Sequence, residues 1–171
     1  MLKLSDTIIG RPVLSLRTGR TVATITGAII NPNNLKIEGL YCTDSYDRSE
    51  LVLLYQDIRD VLPQGFVIND HDVLARPKDL VRLKEFIDLG FDVKGKRVVT
   101  VAHRHLGKVA DYAVEIETMY IQKLYVTQGF MKGLTGGNLG IDRSQVNEIT
   151  DSKIIVFDPL DKATIRATAT A

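Results

Sequence analysis

Two histidines flank an arginine at His103-Arg104-His105, placing imidazoles on alternate residues. A metal site could use that spacing if a third ligand converged on it. The remaining histidine, His71, lies far away in the chain, so the pair is read as a solvated hairpin tip and no metal is assigned. Cys42 beside Tyr41 offers a nucleophile type, but no histidine is near in sequence to take its proton. It is read as a thiol buried in a strand. The run Gly133-Leu134-Thr135-Gly136-Gly137-Asn138 has the glycines of a phosphate loop without the Gly-Lys-Ser/Thr ending. A strand is expected after it where a phosphate loop needs a helix N-terminus. Asp142-Arg143-Ser144 reads as a strand end followed by a cap. No catalytic residue and no cofactor is assigned, and the expectation is a protein that is not an enzyme. A small-ligand carrier or an enzyme would instead require a deep polar-lined pocket.

Two other patterns suit binding. Gln128-Gly129-Phe130-Met131-Lys132-Gly133-Leu134 gathers three large apolar side chains in a glycine-rich loop. Phe130, Met131 and Leu134 form either a lid over the end of their own unit or an exposed contact for a protein partner. The second pattern is charge. No acid occurs from Thr7 to Ile37, where Arg11, Arg17 and Arg20 lie, and none from Val93 to Ala110, where Lys94, Lys96, Arg97, Arg104 and Lys108 lie. These cations are either a mixed solvated surface or a basic face able to contact RNA or a ribosomal particle.

The elements that must carry these residues occur twice. Ile37-Glu38-Gly39-Leu40-Tyr41 returns as Ile121-Gln122-Lys123-Leu124-Tyr125, an offset of 121 − 37 = 84. Gly10-Arg11-Pro12-Val13-Leu14-Ser15-Leu16 matches Gly95-Lys96-Arg97-Val98-Val99-Thr100-Val101 at an offset of 85, one residue being lost in the turn between. Period-two alternation puts Leu14 with Leu16, and Val99 with Val101, on one face. Further strands are expected at Val22 to Ile30 and Leu106 to Val114, at Leu35 to Thr43 and Met119 to Thr127, at Leu51 to Tyr55 and Asn138 to Asp142, and at Gly65 to Asn69 and Lys153 to Phe157. Repeated short strands split by Gly, Asn, Asp and Pro turns favour small barrels or sandwiches. Between the copies, Leu80, Leu83 and Ile87 at i, i+3 and i+7, with Pro77 in the first turn and Gly90 at the stop, predict a short amphipathic helix.

The pattern Gly95…Val98…Leu106-Gly107-Lys108-Val109-Ala110-Asp111, followed by the strand from Met119, resembles the PRC-barrel family. That family includes the small β-barrel of the photosynthetic reaction-centre H subunit and is similar to the C-terminal domain of a ribosome-maturation factor. The first copy resembles it from Gly10 onward, with Ala23 where the second has Gly107 and Gly27 where the second has Asp111. The resemblance implies a mainly β fold of two PRC-like barrels related by internal duplication. It also implies non-enzymatic adaptor or scaffold work on a protein partner, with ribosome-maturation-like RNA binding as the alternative. The expected domains are barrel 1 at 1–75, a helical linker at 76–90, barrel 2 at 91–158 and a flexible tail at 159–171.

Composition sets the outer bounds. The chain has 171 residues, 22 Lys+Arg against 21 Asp+Glu, and 44% hydrophobic residues, an ordinary globular balance. Units of this size each bury only roughly 60% of their unfolded surface. No apolar run reaches the roughly 18 residues a membrane helix needs, and Met1-Leu2-Lys3-Leu4-Ser5-Asp6 lacks a signal-peptide core. With Cys42 the single cysteine, no intrachain disulfide forms. A cytoplasmic location is therefore expected, and homodimerisation is left open.

Overall fold

The computed structural model describes residues 1–128 and 138–158. Phe130, Met131 and Leu134, most of the glycine-rich loop and the expected tail lie outside the described residues. The chain forms two compact units: Met1, Lys3–Phe91 and Glu115–Tyr120 make the first, while Leu2, Asp92–Val114 and Ile121 onward make the second.

The fold is mainly β, with few helices and an open sheet of mixed parallel and antiparallel pairs. In chain order the elements are β1 (Leu2–Leu4), α1 (Ser5–Ile8), β2 (Pro12–Ser15), β3 (Thr21–Asn31), β4 (Lys36–Asp44), β5 (Glu50–Leu54), β6 (Asp60–Leu62), β7 (Gly65–Ile68) and α2 (Lys84–Leu89). They continue with β8 (Arg97–Thr100), β9 (His105–Glu115), β10 (Tyr120–Thr127), β11 (Asn138–Asp142), β12 (Val146–Ile149) and β13 (Lys153–Val156).

In the first unit the strands neighbour one another in the order β6, β7, β2, β3, β4, β5, with β7 parallel to β2 and the other pairs antiparallel. In the second the order is β12, β13, β8, β9, β10, β11, with β13 parallel to β8. Small features recur as well. The Gly10 amide donates to the Ile25 carbonyl and the Gly95 amide to Val109, each at 2.8 Å, and both glycines have positive φ, +85° and +79°. Register shifts fall at Val13/Leu14 and at Val98/Val99. Leu35 and Met119 both adopt left-handed backbone, φ +58° and +59°, and both donate back to the start of their turn, at Asn31 and Glu115.

Two expectations need correction. The inward face of β2 is not that of Leu14 and Leu16. In β2, Val13 and Ser15 are buried while Leu14 is half-buried and Leu16 is 63% exposed; in β8, Val98, Val99 and Thr100 are all buried, and Val101 beyond it is 43% exposed. Because alternate residues face opposite ways, core membership in β2 follows the other parity, whereas β8 after Arg97 is covered on both faces. Ser15 and Thr100 tolerate burial because their hydroxyls are bonded: Ser15 Oγ donates to Asp70 Oδ1 (2.9 Å), and Thr100 Oγ1 accepts from the Arg104 amide (3.1 Å). The linker is also not one helix. It is two 3-10 turns, Pro77–Asp79 and Val81–Leu83, before the six-residue α2. Leu80, at φ −90° and ψ 74°, interrupts the helical path. Pro77 does sit at the first turn, and Gly90 ends α2 in left-handed conformation at φ +58°.

The cores are aliphatic. Val13, Ile25, Ile37, Leu40, Leu53, Phe66 and Ile68 fill the first unit, and Val98, Val114, Ile121, Leu124, Ile141, Ile154 and Val156 the second. Each such side chain contributes roughly 1.5–3 kcal/mol on burial.

Candidate functional site

One recess in the first unit is a groove of roughly 440 Å³. The end of β5 and the turn after it supply Leu54, Tyr55 and Gln56; β4 supplies Lys36 and Glu38. The irregular 3-10 segment supplies Asp79, Leu80, Val81, Arg82 and Leu83. The break at Leu80 therefore has a consequence: it turns a would-be helix into a wall. Val81 is 81% exposed on that wall, the most exposed large apolar side chain described.

Lys36 is the fixed charge of the groove. Its Nζ lies 5.7 Å from the ring centroids of both Tyr55 and Tyr120, close enough for cation–π attraction. Tyr120 is the cross-strand partner of Lys36, and the Tyr55 hydroxyl donates to the Glu117 carbonyl. Both rings are thus held by the backbone. Glu38 and Asp79 add negative charge and Arg82 positive, so the rim carries both signs around apolar side chains.

A second cluster in the first unit contains the residue types of acyl-transfer chemistry, but wired differently. His71 Nε2 lies 2.8 Å from Oδ2 of the buried Asp44, and Tyr46 meets the imidazole edge-on at 5.4 Å. Ser15 instead donates to Asp70, which also pairs with Arg17 at 3.0 Å. Serine and histidine thus have separate carboxylates and no hydrogen bond to each other, so no base is aimed at the hydroxyl. The Asp70 carboxyl is held below the ordinary range, first by the His71 amide, then by Ser15 and Arg17. Asp44 and His71 are 27 residues apart, and nothing in the sequence pattern pairs them.

Cys42 is fully buried in β4, and burial pushes its thiol up to about 12, with the Leu53 backbone pulling slightly the other way. At neutral pH it is a packed thiol and not a nucleophile. Among the described residues no three His, Cys, Asp or Glu side chains converge as a metal would require.

No protein-family model matches the chain, and no curated protein matches it.

The eight cations named from the sequence separate into two groups. Arg11 donates to the Thr7 and Pro63 carbonyls, Arg17 pairs with Asp70, Lys94 with Asp111, and Arg104 with Asp158; Lys96 Nζ donates to the Asp151 carbonyl. Five are therefore tied into their own units. Arg20, Arg97 and Lys108 are exposed. Of these, Arg97 and Lys108 are brought together as direct cross-strand partners on β8 and β9, while Arg20 stands in a turn of the other unit. Asp142 behaves as expected of a cap: it and Gln145 form a reciprocal capping box, with the Asp142 amide donating to Gln145 Oε1 at 2.9 Å.

Proposed function

We propose that this chain is a non-enzymatic adaptor made of two PRC-barrel-like units derived by internal duplication, and that the first unit docks a short segment of a protein partner in its groove. The observation that carries this reading is the composition of the groove. It has an apolar wall of half-buried Leu80 and Leu83 with exposed Val81 between them, a floor at Leu54 and Tyr55, and a rim with both signs of charge at Lys36, Glu38, Asp79 and Arg82. A nucleic-acid surface would be predominantly positive. A peptide site instead pairs an apolar anchor with a few oriented polar groups. The duplication is supported by the repeated strand order and by the paired glycine and left-handed positions. No helix among the described residues is long and apolar enough to cross a membrane.

The test is site-specific photo-crosslinking in native extract from position 81, with position 16, also exposed but in the first hairpin, as reference. The reading predicts a defined partner captured from position 81 alone, whose purified form loses at least tenfold in affinity for Val81→Asp. The same products from both positions, or undiminished binding by Val81→Asp, would overturn it.

A further inference from the structure

The second unit carries a row of like charges that no ion pair among the described residues compensates. Lys153 on β13 lies opposite Arg97 on β8, and Arg97 lies opposite Lys108 on β9. Direct cross-strand partners share a face, and neighbouring strands are roughly 4.8 Å apart, so the three cations span about 10 Å in one line. Like charges placed directly opposite destabilise a sheet. Other described cations of the unit have partners: Lys94, Arg104 and Lys123 pair with Asp111, Asp158 and Asp142, and Lys96 reaches the Asp151 carbonyl. Arg97, Lys108 and Lys153 have no ion pair among the described residues.

Beside this row is a recess of roughly 250 Å³, lined by Arg97, Val99, His103, His105, Ser152 and Lys153. Every polar side chain in that lining can donate a hydrogen bond, and no carboxylate is among them. His105 is opposite Val99 in register, so it shares the face of Arg97 and Lys153. His103 reaches the recess from a left-handed backbone position, φ +64°. The corresponding position in the first unit, 84 residues earlier, is Gly19 at φ +66°. A side chain has been placed where the local backbone favours glycine.

We propose that this recess binds a compact phosphate ligand of the diphosphate class. The guanidinium of Arg97 and the ammonium of Lys153 would clamp adjacent phosphoryl groups, with His103, His105 and Ser152 donating to the remaining oxygens and Lys108 extending the field. A guanidinium fork matches phosphate oxygens in two parallel hydrogen bonds. The confinement of unpaired charge to one row argues for a small ligand. A polyanion that neutralises many phosphates needs a longer uncompensated track. This site is independent of the groove in the other unit, and either can fail without the other.

Calorimetry on the full chain at low ionic strength tests the site, using inorganic pyrophosphate, ADP and a single-stranded RNA 12-mer as probes. One saturable site for pyrophosphate or ADP is expected. Arg97→Ala and Lys153→Ala should each weaken it at least tenfold, and His103→Gly several-fold without lowering the melting temperature. Arg20→Ala and Val81→Asp should leave it unchanged. Tighter binding of ADP assigns the ligand to diphosphate esters; equal or tighter binding of pyrophosphate assigns it to the inorganic ion. No saturable binding of either, binding indifferent to Arg97→Ala and Lys153→Ala, or binding of the RNA alone would overturn the proposal.

Discussion

Where β2 meets β7 and β3, the first unit is shut. Where β8 meets β13 and β9, the second is open and charged. Pro12 lies opposite Thr24 and packs against Gly65 so closely that a Cβ on that glycine would sit 2.3 Å from the Pro12 carbonyl oxygen. The matching positions 85, 84 and 88 residues later are Arg97, Lys108 and Lys153. One backbone pattern thus serves a close-packed seam in one unit and, in the other, three cations with no ion pair among the described residues. The hairpin tips diverge in parallel, Gly19 against His103. On this outward patch the units share strand pairing and differ in side chains.

This contrast can be broken most severely at Gly107, the counterpart of Ala23. Gly107 has φ +137°, and a Cβ there would stand 2.0 Å from the Thr127 carbonyl oxygen. Gly107→Ala should destabilise the chain by about 3 kcal/mol or more, read as a fall in the urea midpoint. Ala23→Gly in the first unit should cost only about 1 kcal/mol through backbone entropy. Equal costs would show that the two bends are alike. Next, exchanging the tips tests whether His103 is kept at a loss. His103→Gly should stabilise by about 1 kcal/mol and Gly19→His should destabilise by a similar amount, both visible in thermal melts. A smaller effect is expected for Arg97→Ala. Without phosphate, relief of like-charge repulsion should raise stability by about 0.5 kcal/mol, and the gain should shrink as salt screens the row. The smallest change should come from Cys42→Val. Val126 occupies the equivalent buried position 84 residues later, and near-isosteric core exchanges usually cost less than about 1.5 kcal/mol. A larger loss would mean that the two cores are packed differently around that strand.

The chain positions of most strands were readable in the sequence because paired glycines, turn residues and apolar alternation recur at a nearly constant offset. Asp142 as a cap and Cys42 as a core thiol were readable for similarly local reasons. The inward parity of β2 was not. Leu14 and Leu16 are more apolar than Val13 and Ser15, and Ser15 is buried only because Asp70, 55 residues away, accepts its hydrogen. The groove joins Leu54 to residues 80–83 and depends on a backbone break that no heptad pattern announces. The cation row needs three strands in register, with Lys153 coming 56 residues after Arg97, and a one-residue slip would send a cation to the opposite face. Charge counting had set Arg97 beside Lys96 and Lys94 as equals. Their partners on neighbouring strands separate them.

The assignment of Glu115–Tyr120 to the first unit also bears on how the chain is made. Ile37 donates its amide to the Met119 carbonyl, and Lys36 pairs with Tyr120, so residues 3–91 emerging from a ribosome lack part of their own framework. At roughly 5–20 residues per second, the missing hairpin tip follows Phe91 by about 1–6 s. During that interval the edge of β4 around Lys36 and Ile37 waits unpaired, with Tyr55 lacking its acceptor at Glu117. The first unit begins earlier, but it is completed only after the second has been started, with Asp92–Val114 already synthesised.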